Sequence, residues 1–159
     1  LRAAEKNLQL YHQLSGRAGR TGKPATVYFQ TYNINSKLIS QITNENPDIF
    51  LEKELAIRKK NNLPPFERFI SIILSGKNEK KILLFADKLK EKLNNNLNTK
   101  VLGPVAAPIF KIKKNFRFRI LIRSTKKRKI QKELLNLLIN FKNQKEIKLA
   151  VDVDPISFN

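Results

Sequence analysis

Apolar side chains recur along this chain at two alternating periods, and the alternation predicts its elements. Ala4, Leu8, Tyr11 and Leu14 fall at near-helical spacing, so a helix is expected over residues 3–14, ending at Gly16. Thr26–Thr31 is β-branched and aromatic, which predicts a short strand. Helical stretches follow at 36–43 and 47–61. The second opens with Asn46 as the expected cap and Pro47 in the first turn. Its last turn holds Arg58, Lys59 and Lys60, which suit the negative end of the helix dipole. Pro64-Pro65 stops the pattern and marks the expected domain boundary, giving domains 1–62 and 63–159.

Beyond the prolines the pattern is regular. Phe66–Ser75 reads as an isoleucine-rich strand. Glu79–Leu97 reads as a helix with Ile82, Phe85, Ala86, Leu89 and Leu93 on one stripe. Val101–Pro104 is expected to form a short extended segment and turn, followed by strands at Pro108–Ile112 and Asn115–Arg123 joined by a lysine-rich turn. Lys126–Phe141 predicts a second amphipathic helix, with Ile130, Leu134, Leu137, Leu138 and Phe141 inward. Ile147–Val153 alternates as a last strand, placing Ile147, Leu149, Val151 and Val153 on one face. The order βαβ-βαβ predicts an α+β domain of the split βαβ (ferredoxin-like) kind, with two helices on one face of a sheet.

Charge changes this picture from a fold to a partner. The 159 residues carry a formal net charge of +19 and a pI near 10.3. Residues 1–62 hold 10 basic and 5 acidic side chains, and residues 63–159 hold 22 and 8. Such a field attracts polyanions, nucleic acid above all. The chain is also rich in Lys, Asn and Ile, as an AT-rich genome dictates, so arginine placement is the better guide. Cysteine is absent, which excludes disulfides and a cysteine zinc site within this piece; no metal-ligand set is expected in it. No run approaches the ~18 apolar residues of a membrane span, so no membrane partner is expected and the cytoplasm is the default compartment.

The basic side chains are concentrated over residues 111–129, which contain ten of them and no acid. Period-2 alternation in Phe116–Arg123 places Phe116, Phe118, Ile120 and Ile122 on one face and Arg117, Arg119 and Arg123 on the other. The arginine face, with no partner acid in the stretch, is expected to be solvent-exposed and flanked by Lys111, Lys113 and Lys114. A flat array of this kind fits a phosphate backbone better than base edges. The competing reading is a solvated face whose lysines guard an edge strand against aggregation. Lone His12 on its helix suits a structural role. Asp152 and Asp154 read either as an acid pair or, with Pro155 next, as a strand end balancing nearby arginines. Tyr28, Phe29 and Phe110 read as core.

The densest motif is Gln13-Leu14-Ser15-Gly16-Arg17-Ala18-Gly19-Arg20. Arginine's planar fork grips phosphate oxygens in pairs, and the glycines let the backbone turn tightly and approach a ligand. A basic turn that only caps the preceding helix is the plain alternative. The octapeptide resembles motif VI of superfamily 2 helicases, Q-x-x-G-R-x-G-R, at every defining position. That resemblance implies a catalytic role at a nucleotide γ-phosphate for Arg17 and Arg20, and nucleotide binding for Gln13, Gly16 and Gly19. The chain has no G-x-x-x-x-G-K-[ST] phosphate loop; its glycines are Gly16, Gly19, Gly22, Gly76 and Gly103. With Leu1 almost on top of the motif, the expectation is the C-terminal piece of a longer ATPase, inactive by itself.

Further stretches narrow the resemblance. Leu1-Arg2-Ala3-Ala4-Glu5, Val27–Tyr32, Phe50–Arg58 with its Glu54-Leu55, Pro64-Pro65-Phe66, Val101-Leu102-Gly103-Pro104 and Val151-Asp152-Val153-Asp154-Pro155 are similar to the C-terminal part of the primosomal protein N′ (PriA) family of replication-restart helicases. The chain departs from that family around 113–118, where aromatics and glycines are more usual than Lys-Lys-Asn-Phe-Arg-Phe. The resemblance implies an ATP-dependent 3′→5′ DNA helicase that recognises stalled forks and assembles primosomes. Residues 1–62 would then end a RecA-like motor lobe of α/β type. Residues 63–159 would form a DNA-binding domain similar to a small-ribosomal-subunit protein. The resemblance also implies ATP and Mg²⁺ as cofactors, and zinc on a cysteine cluster upstream. Implied partners are forked DNA, other primosome proteins and the acidic tail of single-stranded-DNA-binding protein. For that tail the family positions fall on Lys127 and Gln131, with lysine replacing the more usual arginine and its bidentate grip. The alternative is a freestanding nucleic-acid-binding module of ribosomal type without enzymatic activity.

Overall fold

Two units emerge in the computed structural model of the chain, Leu1–Asn61 and Asn62–Asn159. The structure describes residues 2–18, 26–44, 46–125, 129–139, 141 and 146–157. In the first unit the helical periods form α1 (Ala3–Ser15), α2 (Lys37–Asn44) and α3 (Pro47–Lys60). Asn46 caps α3 as its sequence predicts, accepting a hydrogen bond from the Asp48 amide at 2.8 Å. Leu8, Ile42 and Phe50, one from each helix, are buried together, with Ala4, Tyr11 and Leu38 packed against them. The strand expected at Thr26–Thr31 does not form. Strand propensity is realised only against a partner ladder, and among the described residues this unit contains no other strand. Phe29 instead sets its ring edge-on to Tyr11, with centroids 6.5 Å apart, while Tyr28 stands 91% exposed.

The second unit is α+β. Its elements are β1 (Glu67–Gly76), α4 (Glu79–Asn96), β2 (Lys100–Ile112), β3 (Asn115–Thr125), α5 (Ile130–Ile139) and β4 (Lys148–Val153). The sheet order is β2-β3-β1-β4, and every neighbouring pair is antiparallel. β1 and β2 therefore run parallel with β3 between them, and β3 and β4 run parallel with β1 between them. This is the split βαβ arrangement that the element order predicts.

The core forms on one face of this sheet. Ile70, Ile72 and Leu74 of β1 and Phe118, Ile120 and Ile122 of β3 meet the α4 stripe of Ile82, Phe85, Ala86, Leu89 and Leu93. Ile130, Leu134 and Leu138 of α5 join the same cluster, with Leu137 and Phe141 partly buried against it. Each fully buried aliphatic side chain contributes about 1.5–3 kcal/mol. Asn78 caps α4 by accepting from the Lys81 amide at 3.0 Å. The first residues expected in the second helix, Lys126 to Arg128, lie outside the described residues.

Two strands differ from expectation. The two pieces expected at 101–104 and 108–112 are one strand, β2, with register shifts between Leu102 and Val105 and between Ala106 and Lys111. Pro104 and Pro108 are tolerated inside it because β2 is an edge strand, where a missing N–H breaks no ladder on the outer side. On β4, Ile147 and Leu149 pack on the core, but Val151 and Val153 stay 41% and 42% exposed. They pair with buried Ile72 and Ile70 and so face the helix side, yet the outer flank of an edge strand has a neighbour on one side only.

Gly103 is the tighter of the two glycines in the sheet. Its φ is +99°, and a Cβ there would stand 2.6 Å from the Arg119 carbonyl oxygen. Gly103→Ala should therefore lower stability by more than about 1–2 kcal/mol. The check is the denaturant midpoint at unchanged m-value, and a wild-type midpoint would contradict the close approach of β2 to β3.

Candidate functional site

The motif of two Gly-Arg steps begins on α1. Gln13 lies exposed in its last turn, and the Gly16 amide closes the helix by donating to the His12 carbonyl at 2.9 Å. The Arg17 and Ala18 amides then donate to Leu14 and Ser15 at 3.2 and 3.1 Å, so the turn tightens to three-residue bonds. Gly16 has φ −69°, so the turn does not need glycine for a left-handed conformation. What it needs is space: a Cβ would sit 3.0 Å from the His12 carbonyl oxygen. Arg17 follows exposed, one turn beyond Gln13. Gly19 and Arg20 lie outside the described residues. His12 is exposed, with its ring edge-on to Tyr11 at 5.5 Å. The donors here, an amide at Gln13 and a guanidinium at Arg17, suit an anionic oxygen group. Among the described residues no three carboxylates or histidines converge on a metal position.

One residue that the sequence placed only at the negative end of the α3 dipole holds this helix. Arg58 on α3 is buried and places Nη1 3.0 Å from Glu5 of α1 and Nε 3.0 Å from Glu54 of its own helix. The guanidinium fork thus ties the helix that leads into the motif to α3. The i,i+4 spacing of Glu54 and Arg58 is visible in the sequence; the link to Glu5 is not.

In the second unit, Arg117, Arg119 and Arg123 do share one face of β3, opposite the core. Their partners on β1 are Ser75, Ile73 and Phe69. They are half-buried rather than fully exposed. Arg123 is also not without an acid: its Nε donates to Glu67 at 2.6 Å, across 56 residues of sequence. Arg117 donates from Nη1 to the Ile109 carbonyl at 3.3 Å. Burial pushes the Arg119 pKa down from its ordinary value, yet an arginine stays cationic. Lys111, Lys113 and Lys114 are exposed at the hairpin tip, and Lys111 Nζ lies 4.8 Å over the Phe116 ring.

The tip itself is strained. Lys113 and Lys114 form a two-residue turn between paired Ile112 and Asn115, with φ of 45° and 66°. Such turns favour Asn-Gly, because both positions are left-handed. Two lysines there hold charge at the tip against a conformational cost.

The remaining sequence candidates separate. Asp154 pairs with Arg68 at 3.1 Å, and Asp152 stands on the open face opposite Ser71. Phe110 packs partly buried on the core, as expected. Gln131 is half-buried in the first turn of α5, and Lys127 lies outside the described residues. Lys148, which sequence reasoning missed, stands on β4 opposite Ser75, itself opposite Arg117. Its position on the outward phase of the last strand was the available signal.

Residues 59–156 match the family described as Primosomal protein N C-terminal domain. A protein named Replication restart protein PriA from Rickettsia felis is 40% identical over 99% of this chain and 24% of its own length. The protein of that name from Bacillus subtilis is 32% identical over 97% of this chain and 20% of its own. The chain thus spans about a quarter or less of these relatives. Among solved structures, the de novo designed protein Foldit4 aligns at 17% identity and a TM-score of 0.43, over 57% of this chain and 99% of its own.

Two stability outcomes follow from this geometry. Arg58→Ala removes the cation that Glu5 and Glu54 share, leaving Glu5 with Arg2 at 3.8 Å, and should loosen α1 and α3 by about 1.5–3 kcal/mol, read as lost amide-exchange protection in both helices. Protection unchanged in α1 would show that Arg58 does not hold it. Replacing Lys113-Lys114 with Asn-Gly should raise stability by about 1–2 kcal/mol, and an unchanged melting temperature would argue against strain at the tip.

Proposed function

The chain belongs to the primosomal protein N C-terminal domain family, and on that premise we propose that it is the C-terminal part of a replication-restart ATP-dependent 3′→5′ DNA helicase. Its setting would be the cytoplasm, at stalled forks and in primosome assembly. Glu67 engages Arg123, and the observation that carries the nucleic-acid reading is the open sheet face with Arg117 and Arg119 on the same strand and Lys111, Lys113 and Lys114 at its tip. These groups would hold DNA through its phosphates, giving salt-sensitive and largely sequence-independent binding.

The first unit would complete a RecA-like motor lobe. Tyr28 and Tyr32 stand almost fully exposed, as suits a segment that further parts of a lobe would cover. Arg17 and Arg20 would set positive charge at the γ-phosphate of bound ATP, and Gln13, Gly16 and Gly19 would contribute to nucleotide binding. ATP with Mg²⁺ supplies the phosphoryl group and the counter-charge. The phosphate cradle and the structural zinc would come from other parts of the protein. Lys127 and Gln131, the latter in the first turn of α5, would contribute to a site for the acidic tail of single-stranded-DNA-binding protein.

The purified 159-residue chain should show no ATPase activity with or without DNA, and DNA-stimulated turnover by it would refute this assignment. In the intact protein, Arg20→Ala should lower kcat by ~10³ or more, Arg17→Ala should also damage turnover, and DNA binding should survive in both. Near-wild-type turnover in both variants would return the motif to a helix cap. The second unit, with a core of its own, would then be read as a ribosomal-type binding module.

A further inference from the structure

On the strands of the open sheet face, the carboxylates gather at one end. Paired residues of antiparallel strands share a face, so the register defines rows across the sheet. Lys148, Ser75 and Arg117 form one row, and Ala150, Ile73 and Arg119 the next. Asp152, Ser71 and Leu121 form the third, and beyond it lies Arg123 beside Phe69. At the Arg123 end, Glu67 engages Arg123, and Asp154 engages Arg68, which alternates onto the helix side with Ile70. A phosphate following β3 would pass Asp152 and compete with Glu67.

The other end is different. The Lys148 row opens onto a cleft of about 640 Å³ at the start of α4, lined among others by Ser75, Lys77, Lys81, Asn115, Glu146 and Lys148. Its one carboxylate, Glu146, is taken up by Lys81 at 2.9 Å, and that hydrogen bond and charge pull its pKa below the usual range. Lys77 and Lys148 are exposed and make no ion pair among the described residues. Strand spacing of about 4.7–4.9 Å puts the Lys148 and Arg117 backbones roughly 9.5 Å apart, a span that two long side chains narrow. Phe69, the aromatic ring on the open face of β1 and β3, is buried, so the face offers no platform for base stacking.

Resting on the nucleic-acid reading above, we propose that the bound strand crosses the sheet from Arg117 over Ser75 to Lys148, instead of running along β3 to Arg123. Lys148 is then a phosphate-binding residue, and the salt bridge of Arg123 to Glu67 is structural. The strand enters from the hairpin tip and leaves through the cleft beside α4.

The test is the salt dependence of binding a single-stranded oligonucleotide to the 159-residue chain. Lys148→Gln and Arg117→Gln should each flatten the log K against log[salt] slope by about 0.7, and Lys148→Arg should keep the wild-type slope. Arg123→Gln should leave the slope unchanged. Lys100→Gln, at an exposed position that pairs with Arg123, gives the same far-end readout without disturbing the salt bridge. A slope flattened by Lys100→Gln or Arg123→Gln but not by Lys148→Gln overturns the transverse path while leaving the nucleic-acid reading intact. If no variant changes the slope, or the wild-type chain does not bind, the nucleic-acid reading fails and the path with it.

Discussion

The sheet of the second unit is covered on one face only, and the rest of that unit depends on this one-sided burial. Ile70, Ile72, Leu74, Ile120 and Ile122 are fully buried under α4 and α5. Both crossover helices go to the same side, and neither lies over the opposite face of β1 and β3. An uncovered face must carry side chains that tolerate water. Here it carries arginines on β3 and serines on β1, with Phe69, Ile73 and Leu121 as the apolar exceptions. The fold thus supplies a flat, rigid support whose charges are held in register by backbone hydrogen bonds.

That support is electrically uneven. Glu67, Asp152 and Asp154 lie toward one end, where Arg123 and Arg68 are paired. The hairpin lysines, Arg117 and Lys148 lie toward the other. Net charge over the chain does not predict this division, because it arises from which strands neighbour each other. The strained Lys113-Lys114 turn belongs to the basic end and keeps two cations where Asn-Gly would fit the backbone better. In the first unit the same kind of long-range pairing holds the motif helix, through the fork of Arg58 between Glu5 and Glu54.

Much of this was legible in the sequence because several periods were long and clean. Alternation from Phe116 to Arg123 assigned the correct face to the four apolar residues and three arginines it named, and the stripe from Ile82 to Leu93 identified the buried face of α4. The element order led to the split βαβ topology. Three features were not legible, each for a physical reason. Thr26–Thr31 has strand propensity without a strand to pair with. Pro104 and Pro108 read as breaks, yet an edge strand absorbs prolines. The partnership of Arg123 with Glu67 and the alignment of Lys148 with Arg117 exist only through strand register, which composition and local spacing do not encode.

The most direct test of the central claim, that the basic end of the open sheet face meets the nucleic-acid backbone, is a lysine-modification footprint. The chain is acetylated at limiting reagent with and without a single-stranded oligonucleotide, and each lysine is quantified by mass spectrometry. Lys113, Lys114 and Lys148 should lose reactivity when the oligonucleotide is bound, while Lys100 and the α3 lysines Lys59 and Lys60 should not. Protection of Lys100 with Lys148 still reactive, or equal protection at every exposed lysine, would contradict the account.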